Sequence, residues 1–149
     1  MVHIEKSTHI NASIEEVFHY MDAPRHQAEI TPSLVESELI ERLPNGGSRA
    51  SWMYKMAGVK LSGEVQATTY EPPARIEFAM EGDLEGRIWW TLEAEDGGTR
   101  FTYGTEYAIP VPVLQNVAEA FARRYNDREV ETLLGNLKDR LEAAKEATP

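Results

Sequence analysis

A chain of 149 residues, 42% of them hydrophobic, is long enough to bury one good core and too short for two, so a single domain over 1–149 is expected. Its formal charge of −10, from 25 acidic against 15 basic residues, opposes phosphate backbones and anionic headgroups and excludes nucleic acid as a partner class. There is no cysteine, which removes disulfides and thiolate metal sites. No apolar run reaches the ~20 residues of a membrane span, so a soluble, cytoplasmic protein is expected.

Val2 to Ile10 alternates, with Val2, Ile4 and Ile10 among polar residues, and reads as a first strand. Ser13-Ile14-Glu15-Glu16 has the S-x-x-E form of a capping box, in which serine and glutamate satisfy free backbone amides at a helix start. Ile14, Val17, Phe18 and Met21 continue on one face, so a short helix begins here and breaks near Pro24. Arg25 to Thr31 is expected to add a second short helix before Pro32.

From Leu34 the period changes to two. Leu34 to Leu43 reads as a strand, Pro44-Asn45-Gly46-Gly47 as its turn, and Ser48 to Met56 as the returning strand, with Ala50, Trp52, Tyr54 and Met56 on one face. The next strand carries Leu61, Gly63, Val65, Ala67 and Thr69 on one side and ends at Pro72-Pro73. Ile76, Phe78 and Met80 alternate, and Ile88, Trp90 and Leu92 run through the Asp96-Gly97-Gly98 turn to Phe101, Tyr103, Thr105 and Tyr107. Pairing Leu92 with Phe101 and Trp90 with Tyr103 keeps both apolar sets on one face. The expectation is an antiparallel meander of six strands, with the first strand free to join an edge.

The chain closes on an amphipathic segment from about Val113 to Ala147. Leu114, Val117, Ala118, Phe121, Tyr125, Val130, Leu133, Leu134, Leu137 and Leu141 fall mostly three or four apart, the spacing of one helical face. Such a helix is roughly 50 Å long against a radius of gyration near ~15 Å, so it must cross the whole molecule. A sheet curving around it can leave a hollow container for an apolar small molecule. Glu146 to Pro149 reads as a frayed tail.

Four stretches in order, Ser13-Ile14-Glu15-Glu16-Val17-Phe18, Glu71-Pro72-Pro73-Ala74-Arg75-Ile76, Gly97-Gly98-Thr99-Arg100-Phe101-Thr102 and Leu137-Lys138-Asp139-Arg140-Leu141-Glu142, carry a resemblance. With them the chain resembles the polyketide cyclase/dehydrase-like family of the START/Bet v 1-like (SRPBCC) superfamily. The resemblance implies an α+β helix-grip fold, a curved antiparallel sheet wrapped around a long carboxy-terminal helix with two short helices near the amino terminus. Aromatases, cyclases, lipid carriers and co-chaperone-like proteins share that fold, so it does not choose among them.

The histidines His3, His9, His19 and His26 form no H-x-x-x-H pair and read as solvated surface residues, so no metal or cofactor is expected. No G-x-S-x-G turn is present, and Gly46-Gly47 and Gly97-Gly98 read as hairpin turns, not phosphate loops. The aromatic residues Trp52, Tyr54, Phe78, Trp90, Phe101, Tyr103, Tyr107, Phe121 and Tyr125 would converge on the concave side, as core or as the lining of a ligand cavity. Trp89 falls on the opposite phase to Trp90, and Arg49, Arg87 and Arg100 point outward with it. Arg123, Arg124 and Arg128 lie on the final helix, where solvent or glutamates are their expected partners. The inward set holds tyrosines and threonines but no Asp, Glu or His, so no catalytic residue is assigned. The expected function is binding of a hydrophobic or aromatic, lipid- or polyketide-like small molecule. The alternatives are a polyketide-cyclase/dehydratase-like enzyme and a co-chaperone-like interaction module. Nothing in the sequence fixes an oligomeric state.

Overall fold

The computed structural model describes residues 1–56, 58–108 and 115–146. The elements run β1 (Val2–Ile10), α1 (Ile14–Met21), α2 (Pro24–Ile30), β2 (Leu34–Arg42), β3 (Ser48–Met56), β4 (Val59–Glu71), β5 (Arg75–Gly82), β6 (Glu85–Glu95), β7 (Gly98–Ala108) and α3 (Gln115–Glu146). Ser13 caps α1, its side chain accepting from the Glu16 amide at 3.2 Å. Pro24 opens α2, where its missing amide costs nothing.

The seven strands form one antiparallel sheet in the order β1-β7-β6-β5-β4-β3-β2, so β2 to β7 are a meander and β1 joins its far edge. Leu92 pairs with Phe101 and Trp90 with Tyr103, as alternation requires. Asp96 and Gly97, both at positive φ (47° and 79°), make the two-residue turn that a tight hairpin needs between Glu95 and Gly98.

The curved sheet and α3 enclose the core. Val130, Leu133, Leu134, Leu137 and Leu141 of α3 are buried, together with Val2, Ile4 and Ile10 of β1. Beside this seam, Lys6 reaches Asp127 at 3.1 Å, and Lys138 donates to the His9 carbonyl at 2.8 Å and pairs with Glu142 at 2.7 Å. Of the apolar stripe read from the sequence, Val113 and Leu114 lie outside the described residues, as do the side chains of Val117 and Ala118 and the tail from Ala147 onward.

Two local expectations change. A register shift between Ala67 and Thr69 moves the inward phase of β4 from Thr69 to Tyr70, which packs on the core while Thr69 bonds Glu77. Two of the four histidines are half-buried: His9 Nε2 donates to the Glu95 carbonyl at 2.9 Å, and His26 Nδ1 donates to the Tyr20 carbonyl at 2.8 Å.

Candidate functional site

A cavity of about 140 Å³ lies between the concave face of the sheet and α3. Alternation along β3, β5, β6 and β7 sends Trp52, Tyr54, Phe78, Trp90, Tyr103 and Tyr107 to its wall, six of the nine aromatic residues picked out from the sequence. The other three are placed elsewhere. Phe101 is fully buried in the core and does not border the cavity. Phe121 is 49% exposed and packs at a tilt against Tyr125 with 5.9 Å between centroids, and Tyr125, which is not part of the lining, meets Tyr54 edge-on at 6.5 Å.

The wall is built by close approach. Phe78 meets Trp90 edge-on at 4.9 Å between centroids. Trp52 lies over Gly63, where an added Cβ would stand 2.7 Å from the indole, so only glycine lets the ring lie flat. Among the described residues, the indole nitrogens of Trp52 and Trp90 are buried side-chain donors with no partner. Trp89 faces outward, donating to Glu5 at 2.7 Å beneath the Arg87 guanidinium.

The sequence reading found no inward acid, and the structure corrects that: Glu129 of α3 lines the cavity at 9% exposure. The Ser33 amide donates to Glu129 Oε1 at 2.8 Å, and the Ser33 hydroxyl donates to Oε2 at 3.2 Å. Ser33 also meets the Tyr125 hydroxyl. One turn earlier, Asn126 accepts from the Tyr54 hydroxyl at 3.1 Å and donates to the Tyr107 hydroxyl and to the Ala122 carbonyl. The signal was present in the sequence, because Glu129 is four residues from both Tyr125 and Leu133, and Asn126 four from Val130. A polar residue on an apolar stripe marks a place where burial is tolerated for a reason.

Burial, then the charge of Glu129, raises the Tyr54 and Tyr103 hydroxyls above their ordinary range. Burial likewise raises Tyr107, against the opposing bond from Asn126. Among the described residues the cavity therefore presents neutral hydroxyls, aromatic faces and one deep carboxylate. At its rim, Asp22 is held by Arg42 at 3.3 Å and by the Tyr70 hydroxyl at 2.8 Å. Burial and the bond to Asp22 push Tyr70 up to about 12. Pro24, Gln27 and Ser37, partly exposed, complete the rim.

Among the described residues no cluster of three or more His, Asp or Glu could hold a metal ion, and no helix is long and apolar enough to cross a membrane. Arg49 pairs with Glu41 and Glu64, and Arg100 with Glu95, all outside the cavity.

A comparison with curated protein sequences gives no match. Among solved structures, a Thermus thermophilus protein superposes with a TM-score of 0.85 at 21% identity, covering 95% of this chain and 98% of its own. The Zhui aromatase/cyclase of a Streptomyces species gives 0.77 at 13% identity, covering 94% and 93%. A START superfamily protein of Mycobacterium smegmatis gives 0.73 at 14% identity, covering 95% and 98%. At these identities the likeness is one of fold. The family described as polyketide cyclase / dehydrase and lipid transport matches residues 1–142, nearly the whole chain, and this protein belongs to that family.

Proposed function

We propose that this protein binds an apolar, ring-bearing small molecule in the cavity between the sheet and α3. The observation that carries the reading is the wall itself: six aromatic side chains around about 140 Å³, interrupted by a few polar groups. That space is close to the ~150 Å³ of an engineered apolar cavity that takes up benzene, so one ring fits without rearrangement. A larger ligand would extend toward the Asp22 rim. The test is a fluorescence titration with polycyclic aromatics, sterols and fatty acids on single Trp→Phe variants. A saturable change that depends on Trp52 or Trp90 and survives in Trp89→Phe is expected. No saturable response from the folded protein would remove the reading in favour of an interaction module.

Catalysis of the family's kind is the second reading, and Glu129 favours it. A buried carboxylate among neutral tyrosine hydroxyls supplies the acid and base groups that ring closure with loss of water requires. Incubation with a poly-β-keto thioester should then yield an aromatic chromophore. Glu129→Gln should slow its appearance by at least about a hundredfold, the usual contribution of a positioned base.

A further inference from the structure

The pairing of Glu129 with the aromatic wall deepens the binding reading, on which the following inference rests. We infer that the cavity is built for an organic amine: a protonated nitrogen on an apolar frame, held by the Glu129 carboxylate between aromatic faces. Three observations converge on it.

Glu129 is 9% exposed, yet among the described residues it has no cationic partner and is met only by the Ser33 amide and hydroxyl. A carboxylate taken out of water is costly unless a cation or several donors compensate it. Among the described residues, the charged side chains of the lining are Glu129 and Asp22, both acidic, and the cation beside the rim, Arg42, is already bonded to Asp22. A fatty-acid or other carboxylate ligand would therefore meet two like charges and, among the described residues of the lining, no Lys, Arg or His. The missing countercharge is one the ligand must bring.

The surrounding faces suit such a charge. Trp52, Trp90, Tyr103 and Tyr54 border the same space, and the negative face of an aromatic ring attracts an ammonium group most strongly where water is excluded. The Tyr54 and Tyr103 hydroxyls, kept protonated by burial and by Glu129, do not compete as anions. At long range the −10 charge of the molecule draws cations toward it and repels anions.

The experiment compares three matched ligands by isothermal calorimetry near neutral pH: 2-naphthylmethylamine, 2-naphthylmethanol and 2-naphthoate. The amine should bind at least about tenfold tighter than the alcohol, and the acid more weakly than both. In Glu129→Gln the ratio of amine to alcohol affinity should fall to within about twofold of unity. If that variant does not melt cooperatively, Glu129→Asp takes its place, and the ratio should drop severalfold because the charge withdraws by one methylene. An amine no tighter than the alcohol, or a ratio unchanged by either substitution, overturns the inference while leaving the apolar container intact. Failure of all three ligands to bind the folded protein removes the container reading together with it.

Discussion

Single residues decide how polar the interior is. Five tyrosines, Tyr20, Tyr54, Tyr70, Tyr103 and Tyr107, have hydroxyls raised above the ordinary 10.0, chiefly by burial. Tyr20 and Tyr70 rise to about 12, so above pH 10 the unfolded chain loses protons that the folded chain keeps. The stabilisation is complete below about pH 10 and is lost as pH rises through about 12. Urea midpoints measured from pH 8 to 11 should fall most steeply at the alkaline end, and Tyr70→Phe should make that fall shallower. A midpoint independent of alkaline pH would contradict the buried-hydroxyl account. On the outer face, Trp89 lies against Gly104 so closely that a Cβ there would overlap the indole. Gly104→Ala should cost about 1 to 3 kcal/mol, and the loss should largely disappear in a Trp89→Ala background, a coupling that a double-mutant cycle reads directly.

At the scale of elements, α3 is part of the core and not an appendage: it buries Ala122, Val130, Leu133, Leu134, Leu137 and Leu141. Leu137 is fully buried, so Leu137→Ala should lower stability by about 2 to 5 kcal/mol in chemical unfolding. A chain ending at Pro112 would leave the concave face of seven strands uncovered and should not give a cooperative melt. Recovery of a soluble, cooperatively melting fragment of that length would show the helix to be peripheral. The capping of α1 is a smaller effect: Ser13→Ala removes the acceptor for the Glu16 amide and should cost about 0.5 to 2 kcal/mol. β2 is one of the two edge strands of the sheet and exposes Val35, Leu39 and Ile40 between Glu36, Glu38 and Glu41. Those charges discourage edge-to-edge pairing of copies.

At the scale of the molecule, the sheet and α3 meet around a space they do not fill, and ligand binding should stabilise the whole fold. A bound naphthyl amine at a hundred times its Kd should raise the unfolding free energy by about 2.7 kcal/mol, visible as a higher Tm. The same addition to Glu129→Gln should give a smaller rise. Equal shifts in both proteins would mean that the carboxylate takes no part in binding.

What the sequence determined by itself was periodicity and its breaks. Strand phases, the Ser13 cap, the Asp96-Gly97 turn, the Leu92 to Phe101 register and the one long helix all follow from which side chains recur at two or at three to four residues. These are local relations, so neighbours along the chain carry them. Six of the nine aromatic residues chosen by phase border the cavity for that reason. Phase tells which face of an element points inward, but not how far along the element the cavity extends. Phe101 therefore lies in solid core, and Phe121 half in solvent at the edge of the stripe. The bulge in β4 that turns Tyr70 inward, and the bond from Ser33 to Glu129 across 96 residues, arise only when distant segments meet. Periodicity does not record what a buried carboxylate will face. The tertiary structure decided that, among the described residues, it shares its cavity with aromatic rings and no cation, because only packing removes water from Glu129 while Ser33 holds it in place.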